Sequence, residues 1–306
     1  MPFAPLAEGS ATRYAKSMGN RRAYDSDLSD DRWALVEPEL TEWRAKRRQA
    51  GIPGGRPPKY PLRDLLDAIL YVDRTGIPWR YLPHDFPPWE TTYHYFAYWR
   101  DEGVFARLNG LLRHQLREQA GRNPEPSAGA LDAQSVKTGH TVPSATQGTD
   151  AAKKIVGRKR SILTDTLGLL LFVLVTAASV QDSVAGMPLI AQASRTLRRL
   201  RKIWVDGGYR QHLVESAARL GIDLEIVQRK PGTRGFAPIP HRWPVERTFG
   251  WIMMHRRLAR DYETLPTSSE AMIYLAMIDT MARRITGEAV PTWRNPTPQD
   301  ETPRPR

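Results

Sequence analysis

The stretch KRSILTDTLGLLLFVLVTAAS, residues 159–179, decides the fold of this chain. Its two apolar runs flank a D-x-x-G turn signal at Asp165 to Gly168, a pattern that predicts two strands joined by a tight turn. The longest apolar segment, 167–179, is shorter than the roughly 18–20 residues that a membrane-spanning helix needs. We therefore interpret it as a buried strand.

Strands and helices alternate on either side of this hairpin. ALDAQSVKT (130–138) has the period of a strand and precedes it. After it come a basic helical segment at 184–201, the strand-like start of KIWVDGGYR (202–210), a helix at 210–221 and the strand IDLEIVQR (222–229). Three strands followed by alternating helices and strands predict a mixed sheet flanked by helices, an α/β architecture.

Helical periodicity dominates the first part of the chain and returns near its end. The capping box formed by Thr267 and Glu270 predicts the start of a final helix. Short helices joined by tight connections predict a helix-turn-helix-like module in the first part. Its apolar stripes are Leu62, Leu65, Leu66, Ile69 and Leu70; Trp89, Tyr93, Phe96 and Ala97; and Phe105, Leu108, Leu112 and Leu116.

The second helix of this module has a polar face that could bind DNA. Its side chains are of types that contact phosphates or base edges. An ordinary helical bundle with a polar, solvent-exposed face is the alternative interpretation. The face consists of Thr91, Thr92, His94, Tyr95 and Tyr98.

These patterns divide the chain into five parts. We predict a flexible arm at 1–27, an all-α domain at 28–120, a linker at 121–129, a sheet domain at 130–287 and a disordered tail at 288–306, which is rich in proline and charge.

The charge of the chain favours a polyanionic partner, although a basic globular protein without one is the alternative. The net charge is +12 and the isoelectric point about 10.1; the first 120 residues contribute an excess of 2 positive charges and the remainder an excess of 10. The chain has no cysteine, which excludes disulfides, thiolate zinc sites and a cysteine nucleophile. Because the N-terminal sequence lacks the apolar core of a signal peptide, we expect a cytoplasmic protein with no membrane partner.

Three acidic residues are candidates for a metal site. Asp206 follows the strand KIWV, and strand ends of such sheets border the crevice where ligands bind. Asp132 follows a similar apolar lead-in. Glu246 lies in the first turn of a helix that begins near Pro244, although the helix dipole alone would also favour an acid there. We assign Asp165 and Asp182 to turns or caps.

Three carboxylates that converge without a cation would repel one another. A divalent metal reverses that repulsion, and Mg²⁺ prefers oxygen ligands. Two such ions roughly 3.5–4 Å apart can stabilise in-line phosphoryl transfer. On a basic protein, this chemistry points to cleavage or joining of nucleic-acid strands.

At these residues the sequence resembles bacterial insertion-sequence transposases of families 4 and 5, which carry a DDE triad on an RNase H-like fold. The segments LDAQSVKT, GRKRSILTDTLG, WVDGGY and RWPVERTFGW resemble the catalytic domain, and GIPWRYLP and PPWETTYHYFAYWRDEG resemble the N-terminal DNA-binding domain. The resemblance covers roughly residues 27–287. It implies that Asp132, Asp206 and Glu246 are catalytic and bind two Mg²⁺ ions, with Mn²⁺ able to substitute.

The wider group has a Y-x2-R-x3-E-x6-K signature around its glutamate. Arg242 and Glu246 match it, whereas Ile239 replaces the tyrosine and Met253 replaces the lysine. An arginine about one helical turn beyond Met253 could supply the missing cation. The alternative interpretation is that the arginines there are ordinary surface residues. The residues at that turn are Arg256 and Arg257.

The basic clusters are consistent with DNA binding, because lysine and arginine contact phosphates without reading sequence. Arg242 is expected to face phosphate, and RTLRRLRK forms a second basic patch. A solvated basic face is the alternative. The first cluster, KKIVGRKR, contains Lys153, Lys154, Arg158, Lys159 and Arg160.

The resemblance implies a transposase that binds the terminal inverted repeats of an insertion sequence and then cleaves and transfers DNA strands. Its expected partners are double-stranded DNA, at the transposon ends and the target, and a second copy of the chain. Two other functions stay open: an RNase H-like metal nuclease that does not transpose, and a non-catalytic DNA-binding protein derived from a transposase.

Overall fold

The structure is a computed structural model that describes residues 21–49, 58–227 and 242–290. No helix in these ranges is long and apolar enough to cross a membrane. The α-helices are α1 Asp30–Gln49, α2 Leu62–Thr75, α3 Trp89–Asp101, α4 Val104–Gln119, α5 Asp182–Thr196, α6 Gln211–Arg219, α7 Trp243–Met253 and α8 Pro266–Thr286. The strands are β1 Ala128–Lys137, β2 Gly148–Asp150, β3 Ile155–Asp165, β4 Leu170–Ala177, β5 Lys202–Val205 and β6 Asp223–Ile226.

The strands form one mixed sheet in the order β2-β3-β1-β5-β6, with β4 also paired to β3. β1, β3 and β4 are antiparallel neighbours, whereas β1, β5 and β6 run parallel. Helices cover both faces. This arrangement confirms the predicted α/β architecture and the RNase H-like fold class.

The hairpin of β3 and β4 turns where the sequence predicts. One carboxylate oxygen of Asp165 accepts hydrogen bonds from the backbone N–H groups of Leu167 and Leu169, both at 2.8 Å. The other oxygen lies 2.5 Å from Arg117 on α4, and Asp165 is fully buried. Asp165 is therefore a turn residue, as expected, and also an anchor for the helical layer.

The two faces of the sheet belong to different cores. Leu131, Ile203 and Val205 pack with α5 and α6 on one face. Ala130 and Ile162 belong to the larger core on the other face, together with apolar residues of α7, α8 and the N-terminal helices. Alternation along β1 is the cause, because successive side chains of a strand point to opposite faces.

The N-terminal helices and the sheet share this larger core, so the predicted linker at 121–129 does not separate two cores. Asn109 of α4 donates to the carbonyl oxygen of Leu170 on β4 at 2.8 Å. α8 is apolar on most of its circumference and packs between the layers; its fully buried residues include Met272, Ile273, Ala276, Met277 and Met281.

The described parts of the two ends that the sequence predicts to be flexible make contacts with the rest of the protein. Within 21–27, Tyr24 stacks on Phe86 with ring centroids 5.3 Å apart, and Arg21 lies 2.7 Å from Asp27. At the other end, Glu288 lies 2.9 Å from Arg32 of α1. The remainder of the arm and the tail from 291 onward lie outside the described residues.

The predicted capping box of the last helix is also wrong. α8 begins at Pro266, and no side chain caps its first N–H groups. Thr267 lies inside the helix and is exposed. Glu270 instead accepts a hydrogen bond from the backbone N–H of Val175 on β4 at 2.8 Å, which satisfies a strand amide that the sheet leaves unpaired.

Candidate active site

The parallel pairing of β1 and β5 brings Asp132 and Asp206 together. The register pairs Ala128 with Lys202 and Ala130 with Trp204. Continued by two residues, it places both aspartates at the same level and on the same face, since side chains alternate with a period of two. The sheet topology therefore creates an acid pair where β5 ends.

The N-terminal end of helix α7 covers this face of the sheet. The β3–β4 turn holds the helix in place. Thr248 donates to the carbonyl oxygen of Gly168 at 2.6 Å. Gly168 has φ +74°, and a Cβ atom there would lie 2.8 Å from the carbonyl oxygen of Pro244. The close approach of turn and helix therefore needs a glycine, in both conformation and space.

Arg242, immediately before α7, connects the two aspartates. Its Nη2 atom lies 2.6 Å from Oδ2 of Asp132 and 3.6 Å from Oδ2 of Asp206. The side chains of Arg242 and Asp132 are 10% and 13% exposed, whereas that of Asp206 is 33% exposed, so the pair is reached from solvent on the Asp206 side. Burial raises the pKa of Asp132, and the charge of Asp206 raises it further. The guanidinium offsets this repulsion.

Glu246 does not complete the expected group of three acids. It lies in the first turn of α7, half-buried, and its charge acts on Arg242. Among the described residues, no three His, Asp or Glu side chains lie close enough to hold a metal ion. The guanidinium of Arg242 between the acids explains this arrangement, because it supplies the positive charge that converging carboxylates need.

The acid pair nevertheless fits a hard divalent cation. Two carboxylate groups surround a single positive charge, and oxygen atoms are the ligands that Mg²⁺ prefers. One further oxygen is nearby: the hydroxyl of Tyr209 is buried and lacks a hydrogen-bond partner within the described ranges. Burial raises the pKa of Tyr209, and Asp132, Asp182 and Asp206 raise it further, so the phenol stays neutral.

The sequence interpretation missed Tyr209 and underestimated Asp182. A Cβ atom on Gly208 would lie 3.0 Å from a carboxylate oxygen of Asp206 and 3.4 Å from one of Asp182, which places both acids close to this glycine. Lys159 lies 2.8 Å from Asp182. The tyrosine in WVDGGYR, three residues after Asp206, was the available signal.

The predicted basic cluster on β3 divides into exposed and buried members. Lys153 and Lys154 are exposed, and Nζ of Lys153 donates to the carbonyl oxygen of Ala133, the neighbour of Asp132, at 3.1 Å. Arg158 and Arg160, in contrast, are fully buried. Their assignment as DNA-binding residues is wrong, because strand β3 directs them into the core.

Each buried cation of β3 has partners inside the protein. Arg158 lies 3.1 Å from the buried carboxylate of Asp261. Arg160 donates to the carbonyl oxygen of Leu258 at 2.7 Å. Lys159 donates to the carbonyl oxygen of Val180 at 2.7 Å, in addition to its contact with Asp182, and is almost fully buried, so its DNA-binding assignment is wrong as well.

The polar face assigned to α3 is partly buried too. Thr92 is fully buried and donates to the carbonyl oxygen of Pro88 at 3.2 Å, so it is unable to contact DNA. His94 and Tyr98 are exposed, whereas Thr91 and Tyr95 are half-buried.

The two arginines beyond Met253 also differ. Arg256 is exposed, but Arg257 is buried, and its Nε lies 2.7 Å from the carboxylate of Glu263. Arg257 therefore contributes to the core and not to a DNA surface. Ile239 lies outside the described residues, so the position that replaces the signature tyrosine has no structural account.

Comparison with known proteins is consistent with this geometry. Residues 28–109 match a family described as "Putative transposase of IS4/5 family". A protein of Burkholderia cepacia named "Putative transposase for insertion sequence element IS402" is 33% identical over 123 residues, 38% of this chain and 57% of that protein. A second, "Insertion element IS402 uncharacterized 16.2 kDa protein" of the same organism, is 32% identical over 114 residues, 36% of this chain and 72% of that protein.

The chain thus spans little more than half the length of the first of these relatives. The sheet domain has a broader match: residues 123–279, just over half of the chain, match the family described as "Transposase DDE domain". Such domains generally use divalent metal ions. The match includes Asp132, Asp206 and Glu246, and with the helix-flanked mixed sheet it shows that this chain belongs to the transposase DDE domain family.

Proposed function

We propose that this protein is a DNA transposase whose catalytic acids are Asp132, Asp206 and Glu246. One observation supports the proposal above all others: the carboxylate of Asp132, on β1, and that of Asp206, directly after β5, both lie beside the guanidinium of Arg242. An acid pair of this kind is unstable without a cation, and its Asp206 side is accessible to a substrate.

In this mechanism Asp132 and Asp206 would hold Mg²⁺, and Glu246 would have to approach this pair to complete a site for two ions. Bound Mg²⁺ would supply Lewis-acid stabilisation of in-line displacement at phosphorus, and Mn²⁺ is expected to substitute. Arg242 keeps the carboxylates facing each other, and its place beside both lets it contact a phosphate brought to the pair. Tyr209 can donate a hydrogen bond there, because its hydroxyl remains protonated.

The proposed substrate is double-stranded DNA at the terminal inverted repeats of an insertion sequence and at a target. The net charge of +12 supports a polyanionic substrate. Lys153 and Lys154 are placed to contact phosphates, Lys153 directly beside the strand that carries Asp132. His94 and Tyr98 of α3 are the exposed candidates for contact with the repeats. Because two ends must be held together, we infer a dimer or a larger assembly.

Substitution of the acid pair tests the proposal. Asp132→Asn and Asp206→Asn should each abolish Mg²⁺-dependent cleavage of duplexes with the element's ends, while binding of the same DNA persists. Asp223→Asn, an exposed position on edge strand β6, is the matched control and should cleave normally. Full cleavage by the folded Asp132→Asn variant would contradict the assignment. Strand transfer from pre-cleaved ends separates a transposase from a nuclease that only cuts.

A further inference from the structure

Five exposed arginines lie on the segments that lead into β1 and β5. The backbone N–H groups of Arg201 and Lys202 donate to the carbonyl oxygen of Ser127 at 2.8 and 3.2 Å, which holds the two entering segments side by side. We call this region the arginine surface. It consists of Arg122, Arg195, Arg198, Arg199 and Arg201, all exposed.

The nearby acids do not neutralise this surface. Glu125 accepts a hydrogen bond from the backbone N–H of Arg199 at 3.0 Å. Asp223 and Glu225 both bind Lys202, at 2.6 and 2.7 Å. None of the five arginines forms a salt bridge within the described ranges. Their charges therefore repel one another and favour an external polyanion.

A groove of about 490 Å³ adjoins the surface between α4 and the end of α5. Its charged lining consists of Arg113, His114 and Arg198 and one acid, Glu125. Burial lowers the pKa of His114, and the positive charge of Arg113 lowers it further, whereas Glu118 and Glu125 raise it. The arginine surface thus continues at Arg198 into a concave wall in which basic side chains outnumber acidic ones.

The arginine surface is separate from the acid pair. Arg201 precedes β5, whereas Asp206 follows it. Five residues of extended chain at about 3.3 Å each place roughly 16 Å between them. A phosphate at the acid pair is therefore not the phosphate that this surface contacts.

We propose that the arginine surface binds the sugar-phosphate backbone of duplex DNA at a distance from the reacting phosphate, without reading its sequence. Arginine suits this role because its planar guanidinium binds phosphate oxygens in pairs. The inference rests on the proposed function in one respect, that duplex DNA is the substrate.

Neutralisation of two of these arginines provides the test. Binding of the full chain to a fluorescent duplex of arbitrary sequence is measured by anisotropy over a range of salt concentrations, with a chelator present to prevent cleavage. Arg198→Gln/Arg199→Gln is compared with Arg22→Gln/Arg48→Gln, which removes the same charge from two exposed positions on the N-terminal segment and the end of α1, outside the surface. The slope of log affinity against log salt is negative, and each lost phosphate contact makes it shallower by about 0.9, so the slope of the first variant should be shallower by about 1.8.

Equal affinities and slopes for the two double variants would overturn the proposal, because net charge alone would then explain binding. The proposal is supported if only Arg198→Gln/Arg199→Gln loses affinity and salt dependence, and if the loss is the same for a second duplex of unrelated sequence. The proposed catalytic role is tested separately, by measuring cleavage by the Asp132→Asn variant in the presence of metal. A negative result there would leave this metal-free binding measurement unchanged.

Discussion

Replacement of Glu270 by glutamine should stabilise the protein above neutral pH. Burial raises the pKa of Glu270 from 4.5 to about 7, although the hydrogen bond from the Val175 N–H lowers it. The folded state therefore binds a proton more tightly than the unfolded state. The contribution of Glu270 to the free energy of unfolding is therefore greatest below about pH 4.5, decreases as the pH rises to about 7, and is constant above that. At about 1.36 kcal/mol per pKa unit, the loss is roughly 3 kcal/mol.

Glutamine removes this titration and retains a side-chain oxygen that can accept from Val175. The free energy of unfolding, measured with urea over the same pH window, should be equal or lower for Glu270→Gln near pH 4.5 and higher by up to about 3 kcal/mol above pH 7. Asp67, whose pKa burial raises to about 7, titrates in both proteins and cancels in the difference. Exposed Glu215→Gln is the matched control. A stability difference that is constant across this window would refute the reasoning.

Other predictions follow from the buried arginines and the glycines. Arg158→Met should cost about 3–5 kcal/mol in urea unfolding because it leaves the carboxylate of Asp261 buried without its cation; a cost below about 1 kcal/mol would contradict this role. Gly157→Ala should cost about 2–3 kcal/mol, since its Cβ would lie 2.0 Å from the carbonyl oxygen of Val136. Gly250 lies in α7 with open space around it, so Gly250→Ala should instead increase the free energy of unfolding by about 1 kcal/mol and raise the melting temperature. A lower melting temperature would show that the helix is constrained there.

The acid pair could be predicted from sequence because it depends on local patterns and one topological rule. Apolar runs that end in aspartate gave Asp132 and Asp206, and the alternation of strands and helices implied that their strands lie in one sheet. The register of β1 against β5 was not predictable, and it sets Asp206, directly after β5, opposite Asp132 in the middle of β1. The prediction of the turn at Asp165 was correct because its hydrogen bonds reach only four residues.

The partners of the charged residues were not predictable, because they lie far away in the chain. Arg158 and Asp261 are separated by 103 residues, and Arg242 and Asp132 by 110. A run of basic residues before a strand has the same composition whether it faces solvent or core. Glu270 illustrates the same difficulty: its spacing from Thr267 fits a cap, but the unpaired amide of Val175 on a distant strand binds it instead.

The buried cations change what the net charge of +12 implies about the substrate. Arg158, Arg160 and Arg257 are held by interior carboxylates or carbonyls, so part of the positive charge stabilises the shared core and is unavailable to DNA. Two groups of the exposed cations lie in separate places on the sheet domain: the lysines beside Asp132 and the arginine surface at the opposite end of β5. A short oligonucleotide at the acid pair would contact only the first. Duplex DNA long enough to reach both should therefore bind with the steeper salt dependence.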